Sequence, residues 1–307
     1  MEPRGGTLHR ETLPPRLPER TRPQPLRARR TPGIDLRARR PAPQFRGRAG
    51  HRAGLLATHG ASRRAGLNSL DPAGLRFVAF DFDGTLTDYV QADTAALRDL
   101  HAHCALSTPF GEFLTRAVDE IMAFHARVEA GLGDPLHMDE ERLGRTLNAC
   151  GVTCTPGHLH LYTQALLRAT VPMPGAADLL TALRARGVPL ALLSNAYDGP
   201  AQRARIHACF PEQPFDVIVI AGETGHLKPH PRPFQAMLDR LELPAGGGVY
   251  VGDSPTHDVE GAVKVGLPAF LVHPHPRVQD RARRLGAAAV AANLDEVGAL
   301  LALSTSA

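Results

Sequence analysis

The sequence predicts an α/β fold: a doubly wound parallel sheet whose first strand is separated from the others by an all-helical insert. Three observations predict it. Five short apolar runs, at 76–85, 187–195, 215–223, 246–254 and 266–274, each run out into a polar residue, a glycine or a proline. Helically spaced segments at 175–186, 200–209, 232–241 and 258–265 alternate with the later runs. Between the first run and the rest, residues 89–170 carry helical spacing and no strong strand run. Alternating strand and helix implies parallel strands covered on both faces.

Residues 1–70 stand apart from this pattern. They hold 16 Arg, no Lys and four acids, a net +12, which leaves −8 for the rest of a chain whose total is +4. Nine prolines and no apolar period give this stretch too little to bury to offset its ordering entropy. Three readings stay open: a disordered tail, sequence upstream of the true start, or an Arg-rich transit peptide or nucleic-acid arm. Nucleic-acid binding is therefore an expectation for this tail alone, and the acidic body argues against it elsewhere.

The ordered part begins near Leu75. "RFVAFDFDGT" is apolar up to Phe80 and then turns acidic, as a buried strand ending in a turn does. The segments "TAALRDLHAHCAL", "FGEFLTRAVDEIMAFHARVEAGL", "MDEERLGRTLNACG" and "PGHLHLYTQALLRA" read as four helices of the insert. Thr108-Pro109, Asp134-Pro135 and Thr155-Pro156-Gly157 mark the turns between them. "GVPLALLSN", "FDVIVIAGE", "GGGVYVGDS" and "GLPAFLVHP" read as the remaining strands. The expected division is a tail at 1–70, a core at 71–88 and 171–307, and a helical domain at 89–170.

With 307 residues, 43% of them hydrophobic, the chain can build a sizeable core and has room for about two domains. Cys104, Cys150, Cys154 and Cys209 form no zinc spacing, and a chain of this size needs no disulfides, so reduced thiols are expected. No apolar run reaches the ~20 residues that span a bilayer. No secretory apolar segment follows Met1, so a cytoplasmic protein is expected.

The candidate chemistry lies at the carboxyl ends of the predicted strands, where open parallel sheets bind ligands. Asp81, Asp83, Ser194, Lys228 and Asp253 converge there. Two carboxylates ~4 Å apart repel by about 4 kcal/mol at an effective dielectric of ~20. A hard divalent cation relieves such crowding, and Mg²⁺ takes carboxylates together with substrate phosphate. Lys228 offers a compact charge for phosphate, and Ser194 a hydroxyl with a backbone N–H beside it. Of 35 basic residues, Lys228 and Lys264 alone are lysine, a mild sign that Lys228 is there for its chemistry. Acids, metal, lysine and hydroxyl together suit phosphoryl transfer, in which positioning and charge stabilisation do most of the work.

Four motifs resemble those of the haloacid dehalogenase superfamily. "DFDGTLTD" at 81–88 resembles its first signature. "LLSN" at 192–195 resembles the second, "GHLKPHPRPF" at 225–234 the third, and "VGDSPTHDVEGA" at 251–262 the fourth. The resemblance covers residues 75–275 in order and implies a Rossmann-like core with a helical cap between the first two motifs. It implies Asp81 as nucleophile and Asp83 as general acid and base, which also offers Mg²⁺ a backbone carbonyl. Ser194, Asn195 and Lys228 would hold the phosphoryl group. Asp253 would ligate Mg²⁺, and Asp258 would support that site or pair with Lys228. His230 departs from the more usual Asp. "SNAYDGPAQRARI" reads as a variable stretch without a role.

The alternatives are a carbon–halogen or carbon–phosphorus hydrolase on the same fold, and a binding protein that works through its basic tail. By the resemblance, Asp83 disfavours the first, because a halide leaves without a proton. By the same resemblance a carbon–phosphorus hydrolase would want a lysine in the insert, and residues 89–170 have none. A binder gains nothing from Asp81 and Asp83 together. Asp88 could support its turn or be a plain surface acid. The insert's His101, His103, His125, His137, His158 and His160 read as surface or half-buried side chains. The reaction that the resemblance implies is Mg²⁺-dependent hydrolysis of a phosphomonoester, with a small phosphorylated metabolite as the partner.

Overall fold

The computed structural model describes residues 74–129, 132 and 137–303. The Arg- and Pro-rich residues 1–70 lie outside them. Six parallel strands form one sheet in the order β3-β2-β1-β4-β5-β6. They are β1 (Phe77–Phe80), β2 (Leu190–Ser194), β3 (Val217–Ile220), β4 (Gly248–Gly252), β5 (Ala269–Val272) and β6 (Ala289–Ala291). The chain runs from β1 outward through β2 and β3, then returns to the other side of β1 for β4. That reversal between β1 and β4 creates a crevice at their carboxyl ends.

Strand β1 is covered on both faces. Val78 and Phe80 pack into one apolar cluster with Leu190, Leu192 and Val251. Phe77 and Ala79 pack into the other with Ala191, Leu193 and Tyr250. All four β1 residues are completely buried, as continuous apolar runs in parallel sheets require.

The helices of the core are α5 (Ala176–Ala185), α6 (Gly199–Cys209), α7 (Pro231–Leu241), α8 (Gly261–Lys264), α9 (Pro276–Arg284) and α10 (Leu294–Leu300). The helix expected over 258–265 is split: a wide π-type turn spans Pro255–Glu260, and α8 follows it. The sixth strand was not read from the sequence, because its alanine-rich run carries little strand propensity. Its register against β5 (Phe270 opposite Ala289) and the bond from Ala288 N to Ala269 O (2.8 Å) come from the sheet edge, not from local preference.

Four helices separate β1 from α5: α1 (Tyr89–His103), α2 (Phe110–Glu129), α3 (Met138–Ala149) and α4 (Pro156–Ala169). They bury Ala92, Ala96, Leu97 and Leu100 of α1 against Phe113, Leu143, Leu147 and Tyr162 in an apolar cluster of their own. The i, i+4 spacing of the α1 residues is the helical period seen in the sequence. Asp88 caps α1 by accepting from Gln91 N at 3.0 Å, a role at the helix start that the sequence reading did not assign to it. The four cysteines are free thiols. Among the described residues no helix is long and apolar enough to cross a membrane.

Candidate active site

Asp81 is the first residue past β1, and its N–H donates to Val251 O at 2.9 Å, which fixes it against β4. Its carboxylate is almost wholly covered. Oδ1 accepts from Lys228 Nζ at 2.5 Å and Oδ2 from Thr85 Oγ1 at 3.3 Å. The same ammonium reaches Asp258 Oδ1 at 2.7 Å and Tyr250 Oη at 3.0 Å. Tyr250 is anchored in turn by donating to Leu193 O at 3.0 Å.

Lys228 lies in the turn before α7, and Asn195 holds that turn. Asn195 Oδ1 accepts from Lys228 N at 2.8 Å, and its Nδ2 donates to Lys228 O at 3.1 Å. Both polar ends of Asn195 are thus occupied by the Lys228 backbone. Asp258 is equally committed: beside Lys228, its Oδ2 accepts from Ser254 N at 2.9 Å. His230 stays peripheral, capping α7 and stacking on His226 with ring centres 3.9 Å apart.

Asp81, Asp253 and Asp258 each offer a carboxylate oxygen within 4.8 Å of the others. Burial pushes the Asp81 carboxyl up to about 7 even though Lys228 opposes the shift, and the Asp258 and Asp83 charges add to it. Burial likewise raises Asp253, with Asp258 and Asp81 adding to it. For Lys228, burial alone would weaken the ammonium, but the Asp258 and Asp81 carboxylates more than offset this and keep it charged. Two buried carboxylates, Asp81 and Asp258, thus pair with one ammonium, and the half-buried Asp253 beside them has no ion pair with it, a deficit of positive charge.

The donor set, carboxylate oxygens gathered within 4.8 Å of one another, fits a hard divalent cation. Gly84 lets the Asp253 carboxylate lie close to the β1 turn, since a Cβ there would lie 2.5 Å from Asp253 Oδ2. Its φ of +87° also suits glycine.

Asp83 points elsewhere. Its Oδ1 and Oδ2 accept from Arg205 at 2.6 and 3.1 Å, and Oδ2 also accepts from Gln202 Nε2 at 2.9 Å. The same Gln202 nitrogen lies 2.9 Å from Ser194 Oγ at the end of β2. Asp83 therefore leaves its side chain outside the three-carboxylate cluster. Gln202 and Arg205 belong to the stretch that the sequence left without a role. Their signal was faint: both are buried polar residues on the same side of α6 as Ile206 and Cys209.

A cavity of about 380 Å³ opens beside Asp83, lined from the core by Asn195, Tyr197, Gln202 and Arg205 and from the helical insert by His125 and Asp139. Asp139 Oδ1 and Tyr197 Oη are buried there without a hydrogen-bond partner. Burial lifts the Asp139 carboxyl to about 6, against the pull of Arg142.

Acids and a lysine thus gather at the switch point of a doubly wound parallel sheet, with a helical insert lining the adjoining cavity. The chain belongs to the haloacid dehalogenase-like hydrolase family, whose model matches residues 75–266. It is 34% identical over 203 residues to a phosphoglycolate phosphatase of Rhodospirillum rubrum, covering 64% of this chain and 78% of that one. An N-acylneuraminate-9-phosphatase of Mus musculus is 42% identical over 93 residues, 30% of this chain and 37% of that one. Among solved structures, a magnesium-bound HAD-hydrolase of Bacillus subtilis superposes with a TM-score of 0.66 at 21% identity, covering 74% of this chain and 99% of that one. An L-2-haloacid dehalogenase of Xanthobacter autotrophicus gives 0.54 at 22% identity, covering 74% and 88%. At such identities the likeness speaks for the fold alone.

Proposed function

We propose that this hydrolase is a magnesium-dependent phosphatase that cleaves a small phosphomonoester through an aspartyl-phosphate on Asp81. The observation that carries this reading is the pairing of Lys228 with Asp81 inside the carboxylate cluster, while the Asp83 side chain lies outside that cluster and lines the adjoining cavity. Asp81 attacks phosphorus, the bond to the leaving oxygen breaks, and Asp83 supplies a proton to that oxygen. Asp83 then takes a proton from water, whose oxygen attacks phosphorus and frees the Asp81 carboxylate. Lys228, Ser194 Oγ and the backbone beside Ser194 and Asn195 hold the phosphoryl oxygens.

Asp81, Asp253 and the Asp83 backbone carbonyl would hold Mg²⁺, with Asp258 supporting them through Lys228 and Ser254. When bound, the ion would supply positive charge to offset the charge that the phosphoryl oxygens gather. The resemblance to a phosphoglycolate phosphatase over most of that protein's length and the modest cavity both support a small ester. A dehalogenase on this fold would have no use for an acid at Asp83.

The test is phosphate release from p-nitrophenyl phosphate and from a panel of alkyl phosphates, with and without Mg²⁺. Release that needs the metal and is lost in Asp81→Asn supports the reading. Halide release from a 2-haloacid without phosphate release would overturn it.

A further inference from the structure

Arg205 holds Asp83 by a two-pronged fork, and its other contacts tie that fork to the end of the helical insert. NH2 and NH1 meet the two carboxylate oxygens at 2.6 and 3.1 Å. NH1 also donates to Gln202 Oε1 at 2.8 Å, and Nε donates to Thr170 Oγ1 at 2.9 Å. The guanidinium lies 5.4 Å from the ring centre of Phe82 and 5.6 Å from that of Tyr89, so packing as well as hydrogen bonding fixes its plane. Arg205 is 4% exposed.

Thr170 ends α4 and is itself pinned, its hydroxyl donating to Leu166 O at 2.6 Å. Gln202 completes the arrangement by bridging Asp83 and Ser194 from the next turn of α6. A carboxylate with both oxygens engaged in a fork cannot turn about its last torsion. A guanidinium anchored on three sides is a rigid support for it.

We propose that Arg205 is the positioning residue for the proton-transferring carboxylate Asp83, and that through Thr170 it fixes Asp83 relative to the chain segment returning from the helical insert. This rests on the phosphatase reading above. A residue that merely fills the seam would matter equally for every ester. One that aims Asp83 matters most where the leaving oxygen needs a proton. An alkyl phosphate needs one, whereas p-nitrophenolate leaves without it.

The experiment measures kcat/KM of the full chain with Mg²⁺ for p-nitrophenyl phosphate and for the alkyl phosphate it cleaves best. It also measures the aspartyl-phosphate trapped by acid quench and the thermal midpoint. Arg205→Met is expected to lower kcat/KM on the alkyl ester by on the order of 100-fold. On the aryl ester the loss should stay below about tenfold, with aspartyl-phosphate accumulating because its hydrolysis also uses Asp83. Arg205→Lys keeps the charge without the fork and should recover only part of the alkyl rate. Should Arg205→Met fail to fold, Gln202→Met removes one support of Asp83 together with the bond to Ser194 Oγ, so both esters should slow and the alkyl ester by the larger factor. Equal losses on both esters, with no trapped intermediate, overturn the role of Arg205. A wild-type chain that releases phosphate from neither ester overturns the phosphatase reading as well.

Discussion

Arg142 meets Asp93 through two hydrogen bonds, NH1 to Oδ1 at 2.8 Å and NH2 to Oδ2 at 2.7 Å, inside the helical insert. Tyr162 Oη donates to Asp93 Oδ1 at 2.5 Å, and Arg142 Nε donates to Ala117 O at 3.1 Å. Asp93, Ala117, Arg142 and Tyr162 come one each from α1, α2, α3 and α4, so a single buried network joins all four helices. Asp93→Ala would leave a guanidinium buried without its counter-ion. We expect a loss of about 3–5 kcal/mol in denaturant unfolding. The double change Asp93→Ala with Arg142→Met removes both charges and should regain much of that loss. A double variant no more stable than the single one would show that the network is not coupled.

Lys228 neutralises two acids at once, and it competes with a cation for Asp81. Lys228→Met should therefore bind Mg²⁺ at least as tightly as the wild type in calorimetric titration. Phosphate release should nevertheless fall by on the order of 10²–10³, the cost of losing one charged donor to a phosphoryl oxygen. Parallel loss of metal binding and turnover would mean that Lys228 chiefly maintains the fold.

Gly84 and Gly187 both have positive φ, +87° and +70°, but their surroundings differ. A Cβ at Gly84 would collide with Asp253 Oδ2 at 2.5 Å and Cγ at 2.9 Å, whereas at Gly187 nothing lies within 4 Å. Gly187→Ala should cost about 1–2 kcal/mol of backbone strain and leave Mg²⁺ affinity alone. Gly84→Ala should carry the same strain and in addition weaken Mg²⁺ binding at least tenfold. Equal Mg²⁺ affinities in the two variants would remove Gly84 from the site's design.

The sequence disclosed what local grammar can carry. Asp81 and Asp253 were legible because an apolar strand that stops at an acid advertises its carboxyl end. Arg142 was not legible. An arginine among acids on an amphipathic helix reads as a solvent-facing residue, and its burial depends on Asp93, 49 positions away. Gln202 and Arg205 escaped for the same reason, since their partner Asp83 is 119 and 122 positions distant. Strand β6 exists because β5 offers it an edge, and alanines give no hint of that. Where a side chain's role lies in a distant partner, period and propensity are silent.

The buried carboxylates make the site's response to pH depend on the metal. Asp81, lifted to about 7 chiefly by burial, holds its proton more tightly folded than unfolded, where its ordinary value is 3.8. The stability gained from that proton is fully present below pH ~4 and is lost as pH rises toward about 7. The metal-free protein should therefore lose thermal stability between pH 5 and pH 8, and Asp81→Asn should flatten that slope. Mg²⁺ requires the ionised carboxylates, so its affinity should rise over the same window and its binding should release protons below pH ~7. Calorimetry in two buffers of different ionisation heat would count those protons. Mg²⁺ affinity that stays constant from pH 5.5 to 8, with no proton released, would mean that the cluster is already ionised and that Lys228 alone balances it.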